Sequence, residues 1–287
     1  MSAVSRSLPT DVSPLRVELS SHQEEWKSPR FKSLAEQLRH YRAPPSPSDE
    51  DSVMSSIGMP ATEASRKDLK VFPTKKRAAV LVCLYQGENE EFRVFLTKRA
   101  GSLKSHSGEV ALPGGKQDEG DADDTATALR EAHEEIGLQP SHVRVVTSLE
   151  PFLSKHLLAV IPVVALLDDV KQFTPVPNPG EVEAIFDAPL EMFLKEENYW
   201  FQEWDWLGVK YRVHYFDYAA TNGEKFLVWG LTASILIRTA SIIYQRKPDF
   251  LEFAPDFDKM ITSARGLGCN PVPKPPRTDE NGSDKKE

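Results

Sequence analysis

The chain has 287 residues, 40% hydrophobic and 27% charged, the balance of a soluble globular protein with one or two domains and a substantial core. A formal net charge of −8 excludes a general affinity for nucleic acid or anionic membranes, both of which demand a basic surface. Only Cys83 and Cys269 occur, far apart and without metal-ligand spacing, so a buried free thiol in a reducing compartment is expected, not a disulfide or a nucleophile.

Taken in order, the chain opens with "SAVSRSLP" and shows no apolar stretch of secretory type, and Asp11 and Glu18 follow soon. A cytoplasmic location is expected, with the mitochondrion as the alternative. Residues 1–75 read as a mostly flexible extension holding one short helix, "RFKSLAEQLRHY", whose Phe31, Leu34, Leu38 and Tyr41 recur at helical spacing. Pro44 and Pro45 stop that helix, and "APPSPSDEDS" reads as a linker. Residues 76–262 form the expected domain, and 263–287 a disordered tail.

Within the domain, "AAVLVCLY" and "FRVFLTKR" read as strands around a "QGENEE" turn. "HVRVVTSLE" and "LLAVIPVVAL" are two more, the second apolar enough to be buried on both faces. "EVEAIFDAPLEMFL" reads as a strand entering a helix through Pro189, and "VKYRVHYFDY" as a further strand. The apolar run Phe226–Tyr244 is long enough to raise the question of a membrane span, but Arg238 and several Ser and Thr interrupt it. A buried helix starting near Gly230 fits better. Strands mixed with two long helices give an α/β fold, a sheet sandwiched between helix layers.

The chemistry is expected in "ALREAHEEIGL", a helix starting among Asp121, Asp123 and Asp124 and ending at the C-cap glycine Gly137. At about 100° per residue, Glu131, Glu134 and Glu135 fall within an arc of roughly 100°, opposite Leu129, Ala132 and Ile136. Carboxylates at the negative end of a helix repel the dipole, and Glu131 and Glu135, four apart, repel each other. A hard divalent cation would offset both effects, and oxygen donors of this kind suit Mg²⁺ or Mn²⁺. Arg130 lies one turn before Glu134, within reach of an orienting ion pair. His133 is expected to cap or pack and not to ligate. "LPGGK" just upstream puts two glycines where backbone can approach an ion or a phosphate closely.

Here the sequence resembles a known family. "GG…ALREAHEEIGL" is similar to the Nudix box: Gly, five residues, Glu, seven residues, then Arg-Glu-apolar-x-Glu-Glu-x-Gly-apolar. Arg130, Glu131, Ala132, Glu134, Glu135, Gly137 and Leu138 match. The first half departs: Ala122 occupies the isolated-Glu position, and Asp121 or Asp118 is expected to stand in across a loop one residue longer. "FLTKRAGSLKSHSGEVALPGGKQDEGD" resembles the signature of the coenzyme A pyrophosphatase subgroup, matching at Leu96, Thr97, Arg99, Leu103, His106, Gly108, Val110, Pro113, Gly114 and Gly115, with Ala100 and Leu112 deviating. The likeness spans about residues 85–240.

The resemblance implies a Nudix-type α/β/α sandwich with a mixed sheet, and hydrolysis of the diphosphate of coenzyme A or acyl-coenzyme A. It implies metal ligation by Glu131, Glu134, Glu135 and the Gly115 carbonyl, with Arg130 orienting Glu134. The general base is expected to be Glu135 or a glutamate from "PNPGEVEAIF", Glu181 or Glu183, with Glu109 a weaker option. Lys98, Arg99, Lys104, His106 and Lys116 are the expected contacts to an anionic substrate. The partner is a small-molecule nucleotide. Competing readings are hydrolysis of another nucleoside diphosphate derivative (NADH, ADP-ribose, a guanosine polyphosphate), or a binding module without turnover, against which the intact "REAHEE" speaks.

Overall fold

A computed structural model of the protein describes residues 26–41, 77–103, 105–154, 158–206 and 209–252. The expected linker, the expected C-terminal tail and Cys269 lie outside the described residues.

The short N-terminal helix forms as α1, Pro29–Arg39. Ser28 caps it by accepting from the Phe31 amide, and Pro29 sits where its missing N–H costs nothing. Its periodic residues Phe31, Leu34, Ala35 and Leu38 are buried, so the helix belongs to the core and is no appendage.

The sheet follows. The strands β1 (Arg77–Gln86) and β2 (Phe92–Arg99) form the expected hairpin. The short strands β3 (Val110–Ala111) and β4 (Gly114–Lys116) return across them, with β3 on β2 and β4 on β1. The acidic helix α2, Asp124–Ile136, comes next. Then β5 (Arg144–Ser148), β6 (Phe152–Leu153) and β7 (Ala159–Leu166) complete one side, with β7 parallel to β1 along its whole length. All eight residues of β7 are buried, as its unbroken apolar run requires. The other side is closed by β8 (Val182–Pro189), antiparallel to β2.

After Pro189 the chain departs from expectation. A single 3₁₀ turn, Leu190–Leu194, takes the place of a helix. Leu190, Phe193 and Leu194 are buried within that one turn, and the charged run Lys195–Glu197 offers no apolar residue to continue the pattern. A second, three-stranded sheet then forms from β9 (Tyr199–Trp206), β10 (Val209–Ala219) and β11 (Lys225–Trp229). The apolar run Phe226–Tyr244 is therefore split between strand β11 and helix α3, Gly230–Tyr244. Among the described residues no helix is long and apolar enough to cross a membrane. Arg238 within α3 is satisfied by Glu150 at 2.7 Å and by the Tyr41 hydroxyl at 3.0 Å.

Alternate residues of the central strands face opposite layers. Val82, Leu84, Val94 and Leu96 pack with α1 and α3, while Ala79, Leu81, Cys83 and Phe95 pack with α2. The result is the expected α/β/α sandwich around a mixed sheet. Cys83 is a free, buried thiol, pushed up to about 12 by burial, which removes it as a nucleophile at neutral pH.

Because α1 supplies part of the core, Leu38→Ala is expected to lower the unfolding free energy by about 2–5 kcal/mol. Chemical denaturation checks this; a loss under half a kcal/mol would show that α1 is a dispensable arm.

Candidate active site

The site is assembled where β4 passes beneath α2. Asp123 caps the helix by accepting from the Ala126 amide at 2.8 Å, and Gly137 ends it in a left-handed conformation. The orphan carbonyls of the last turn are answered by the loop before β8: the Val176 amide donates to Ile136 at 3.0 Å and the Asn178 amide to Glu135 at 2.9 Å. That contact fixes the segment carrying Glu181 beside the acids.

Both glycines of "PGG" are required by close approach. A Cβ on Gly114 would stand 2.4 Å from the Ala79 carbonyl oxygen, and one on Gly115 2.3 Å from a Glu131 carboxylate oxygen. The Glu131 carboxylate thus lies directly against the Gly115 backbone.

The three acids are not equally presented, which corrects the expectation of one shared outer face. Glu134 is exposed, Glu131 is half-buried, and Glu135 is 2% exposed, on the packed side with Ala132 and Ile136. Glu135 accepts from the Gly114 amide at 3.1 Å and faces the Arg99 guanidinium at 3.5 Å. Burial raises the Glu131 carboxyl above its usual range and pushes Glu135 up to about 7. The negative charge of Glu181 works in the same direction on both.

Arg130 is the hub. Its Nη1 donates to Glu134 at 3.1 Å, as the one-turn spacing requires, and its Nη2 lies 3.2 Å from Glu131. Sequence reasoning missed its firmer anchor: Nε and Nη2 grip both oxygens of Asp121 at 2.9 Å each, and Nη2 also donates to the Lys116 carbonyl at 3.1 Å. Asp121 also accepts from the Thr127 hydroxyl and the Asp118 amide, and the bond from Arg130 holds its carboxyl far below the ordinary carboxylate range. Of the two expected stand-ins, Asp121 therefore engages the arginine; Asp118 is exposed and 3.8 Å from it.

The basic residues divide. Neighbours on a strand point to opposite faces, so Lys98 leaves β2 away from α2 and pairs with Glu183 at 2.6 Å, while Arg99 turns to Glu135. Of the two glutamates in "GEVEAIF", Glu181 is thus at the acids and Glu183 is engaged with Lys98. His106, in a left-handed backbone conformation on the loop after β2, pairs with Glu109 at 2.7 Å. Lys116 is exposed at the end of β4; Lys104 lies outside the described residues. His133 is exposed, so its side chain does not pack as expected.

Among the described residues, no three Asp, Glu, His or Cys side chains converge closely enough to cage an ion as they stand. The physical reason is visible: guanidinium groups already engage the carboxylates. The donor chemistry still suits a divalent cation, since Glu131, Glu134, Glu135 and the Gly115 backbone are all hard oxygen donors on adjoining turns and strand.

A mixed sheet between helix layers, with an acidic helix lying over a Gly-Gly strand, is the architecture of a Nudix-type hydrolase. The family model described as "NUDIX domain" matches residues 75–207. Nudix hydrolase 15, mitochondrial, of Arabidopsis thaliana is 59% identical over 206 residues, covering 71% of this chain and 72% of that one. Nudix hydrolase 22, chloroplastic, of the same plant is 50% identical over 267 residues, covering 89% of this chain and 87% of that one. The peroxisomal coenzyme A diphosphatase NUDT7 of Mus musculus is 38% identical over 186 residues, covering 64% of this chain and 76% of that one. The chain belongs to the Nudix hydrolase family, enzymes of pyrophosphatase type that act on a phosphoric anhydride.

Glu135 holds its proton more firmly in the folded than in the unfolded chain, so metal-free protein is expected to lose stability as pH rises from about 4.5 to about 7. Melting temperatures in a chelator across that window test this: Glu135→Gln flattens the decline, and an unaltered decline in the variant would assign it to another group. Added Mn²⁺ stabilises more at pH 8 than at pH 5, where protons compete for the same oxygens.

Proposed function

We propose that the protein hydrolyses the diphosphate of coenzyme A or an acyl-coenzyme A, yielding phosphopantetheine or its acyl form and adenosine 3′,5′-bisphosphate, with Mg²⁺ or Mn²⁺ as cofactor. The observation that carries the substrate is the 38% identity to a coenzyme A diphosphatase over 186 residues, beside the Leu96–Gly115 signature read in this sequence. The two plant relatives carry names that specify no substrate.

In this reading Glu131, Glu134, Glu135 and the Gly115 carbonyl hold the cation. When bound, it would neutralise the charge on the diphosphate and lower the pKa of an attacking water. The remaining work falls to the protein. Arg130, locked by Asp121, fixes the directions of Glu131 and Glu134. The Gly114 amide fixes Glu135. Glu181 serves as the general base: its loop is tied to the helix end by Val176 and Asn178, and its carbonyl accepts from the Ala100 amide at 2.8 Å. Arg99 is the foremost contact to the diphosphate, with His106 and Lys116 on the flanking loop and strand end; Lys98, paired with Glu183 on the other face, is the least suited of the expected contacts among the described residues.

The compartment is part of the same proposal. The buried free thiol of Cys83 favours a reducing one, with the cytosol first. Mitochondrial, chloroplastic and peroxisomal addresses in the relatives' names make an organelle the competing reading.

Purified protein with Mg²⁺ is expected to show kcat/KM for coenzyme A or acetyl-coenzyme A at least about tenfold above that for NADH and ADP-ribose, a difference near 1.4 kcal/mol in transition-state binding. A preference for either of the latter would replace the substrate and keep the reaction. Glu134→Gln is expected to reduce kcat by about a hundredfold or more with little change in melting temperature, since Glu134 is exposed. Near-normal activity in that variant would remove Glu134 from the metal site.

A further inference from the structure

Two arginines neutralise the acids of the site, and they are held very differently. Arg130 makes two bonds of 2.9 Å to Asp121, a third to the Lys116 carbonyl, and contacts to Glu131 and Glu134. Such a guanidinium cannot leave without unpairing several carboxylates at once. Arg99 is tied down far less. Its single side-chain contact among those resolved is one nitrogen 3.5 Å from Glu135, at the outer limit of a hydrogen bond. Its Nε is buried and, among the described residues, has no acceptor. A buried guanidinium N–H without a partner is costly and leaves a donor free for a ligand.

The base of Arg99 is nonetheless rigid. Its amide donates to the Glu109 carbonyl at 3.0 Å, its carbonyl accepts from the Gly108 amide at 3.1 Å, and the next residue, Ala100, bonds to Glu181. Arg99 shares the α2 face with Phe95, four residues back along β2, and the register shift at Lys98/Arg99 falls on the β8 side, where Glu183 is skipped. The backbone is fixed, so any rearrangement of Arg99 is confined to its side chain.

We propose that Arg99 is an exchangeable counter-charge: it occupies Glu135 in the metal-free enzyme, yields that carboxylate to a divalent cation, and then donates its freed fork, Nε included, to a phosphate of the substrate. This deepens the hydrolase reading above and rests on it. Cation and Arg99 compete for one carboxylate, so the same residue opposes metal binding and favours binding of a diphosphate. A purely structural Arg99 would oppose neither.

The test is a pair of titrations on full-length protein, with Mn²⁺ alone followed by calorimetry. Arg99→Gln, which removes the charge and keeps an amide donor, is expected to bind Mn²⁺ at least about fivefold more tightly than wild type, because a competing cation 3.5 Å from Glu135 is gone. Arg99→Lys, still charged, stays within about twofold of wild type. Activity then separates the two halves of the exchange: Arg99→Gln raises KM for coenzyme A at saturating Mn²⁺, and Arg99→Lys recovers part of the loss. Unchanged or weaker Mn²⁺ binding by Arg99→Gln overturns the exchange while the hydrolase reading stands. Failure of wild type itself to bind Mn²⁺ would instead bring down the metal site on which both rest.

Discussion

Carboxylates crowded at the negative pole of a helix are the constraint that organises this molecule. Left alone, Glu131, Glu134 and Glu135 would oppose the helix dipole and one another. The fold answers with geometry at each point. Gly137 lets the helix end in a tight left-handed turn, and amides of the loop before β8 donate to the last carbonyls, so the pole is covered by donors and not by water. Arg130 is drawn in by Asp121 to stand among the acids. The missing side chains of Gly114 and Gly115 let a strand edge slide beneath the helix until its amide reaches Glu135. Each device serves the acids first, and the sheet and helix layers set the distances at which all of them work together.

How much of this could be read from the sequence follows from the range of the interactions involved. The acidic helix was legible from Asp123 to Gly137 because capping and periodicity are local, set within one or two turns. The buried strand Ala159–Leu166 was legible because a two-faced apolar run has few other uses. The strand Tyr199–Trp206 was not, since Trp200 and Trp204 alternate with Phe201 and Glu203 between a packed aromatic cluster and solvent in a pattern that depends on which sheet it joins. The three-residue strand Gly114–Lys116 carries no pattern of its own at all; its partner β1 defines it.

The site shows the same division. Arg130 with Glu134 was foreseeable from one helical turn, whereas Arg130 with Asp121 depends on how an irregular loop folds back, and the count of residues alone left Asp118 and Asp121 equal. Lys98 and Arg99 look like one basic cluster in the sequence. Pleating sends them to opposite faces, and Arg99 follows Phe95 onto the face that meets the acids. Glu181 and Glu183, two apart, would share a face in a regular strand; they are separated because Glu181 lies ahead of β8 and the register shift skips Glu183, so one acts on Glu135 and the other pairs with Lys98.

That separation bears on how an acidic chain handles an anionic substrate. At the site, Asp121, Glu131, Glu134, Glu135 and Glu181 face Arg99 and Arg130, so the ionised groups leave three negative charges uncompensated. A diphosphate approaching that field is repelled, and burial of Glu135 in a low-dielectric pocket strengthens the repulsion. The pressure is relieved in part by keeping a proton on Glu135, which its raised pKa allows near neutral pH. In the proposed exchange a divalent cation would remove the need for that proton and bring the local charge close to balance without making it positive. Attraction for phosphate would then come from a guanidinium that is no longer spent on its own carboxylate. Arg130, held by Asp121, is not available for it; Arg99, held by one long contact, is.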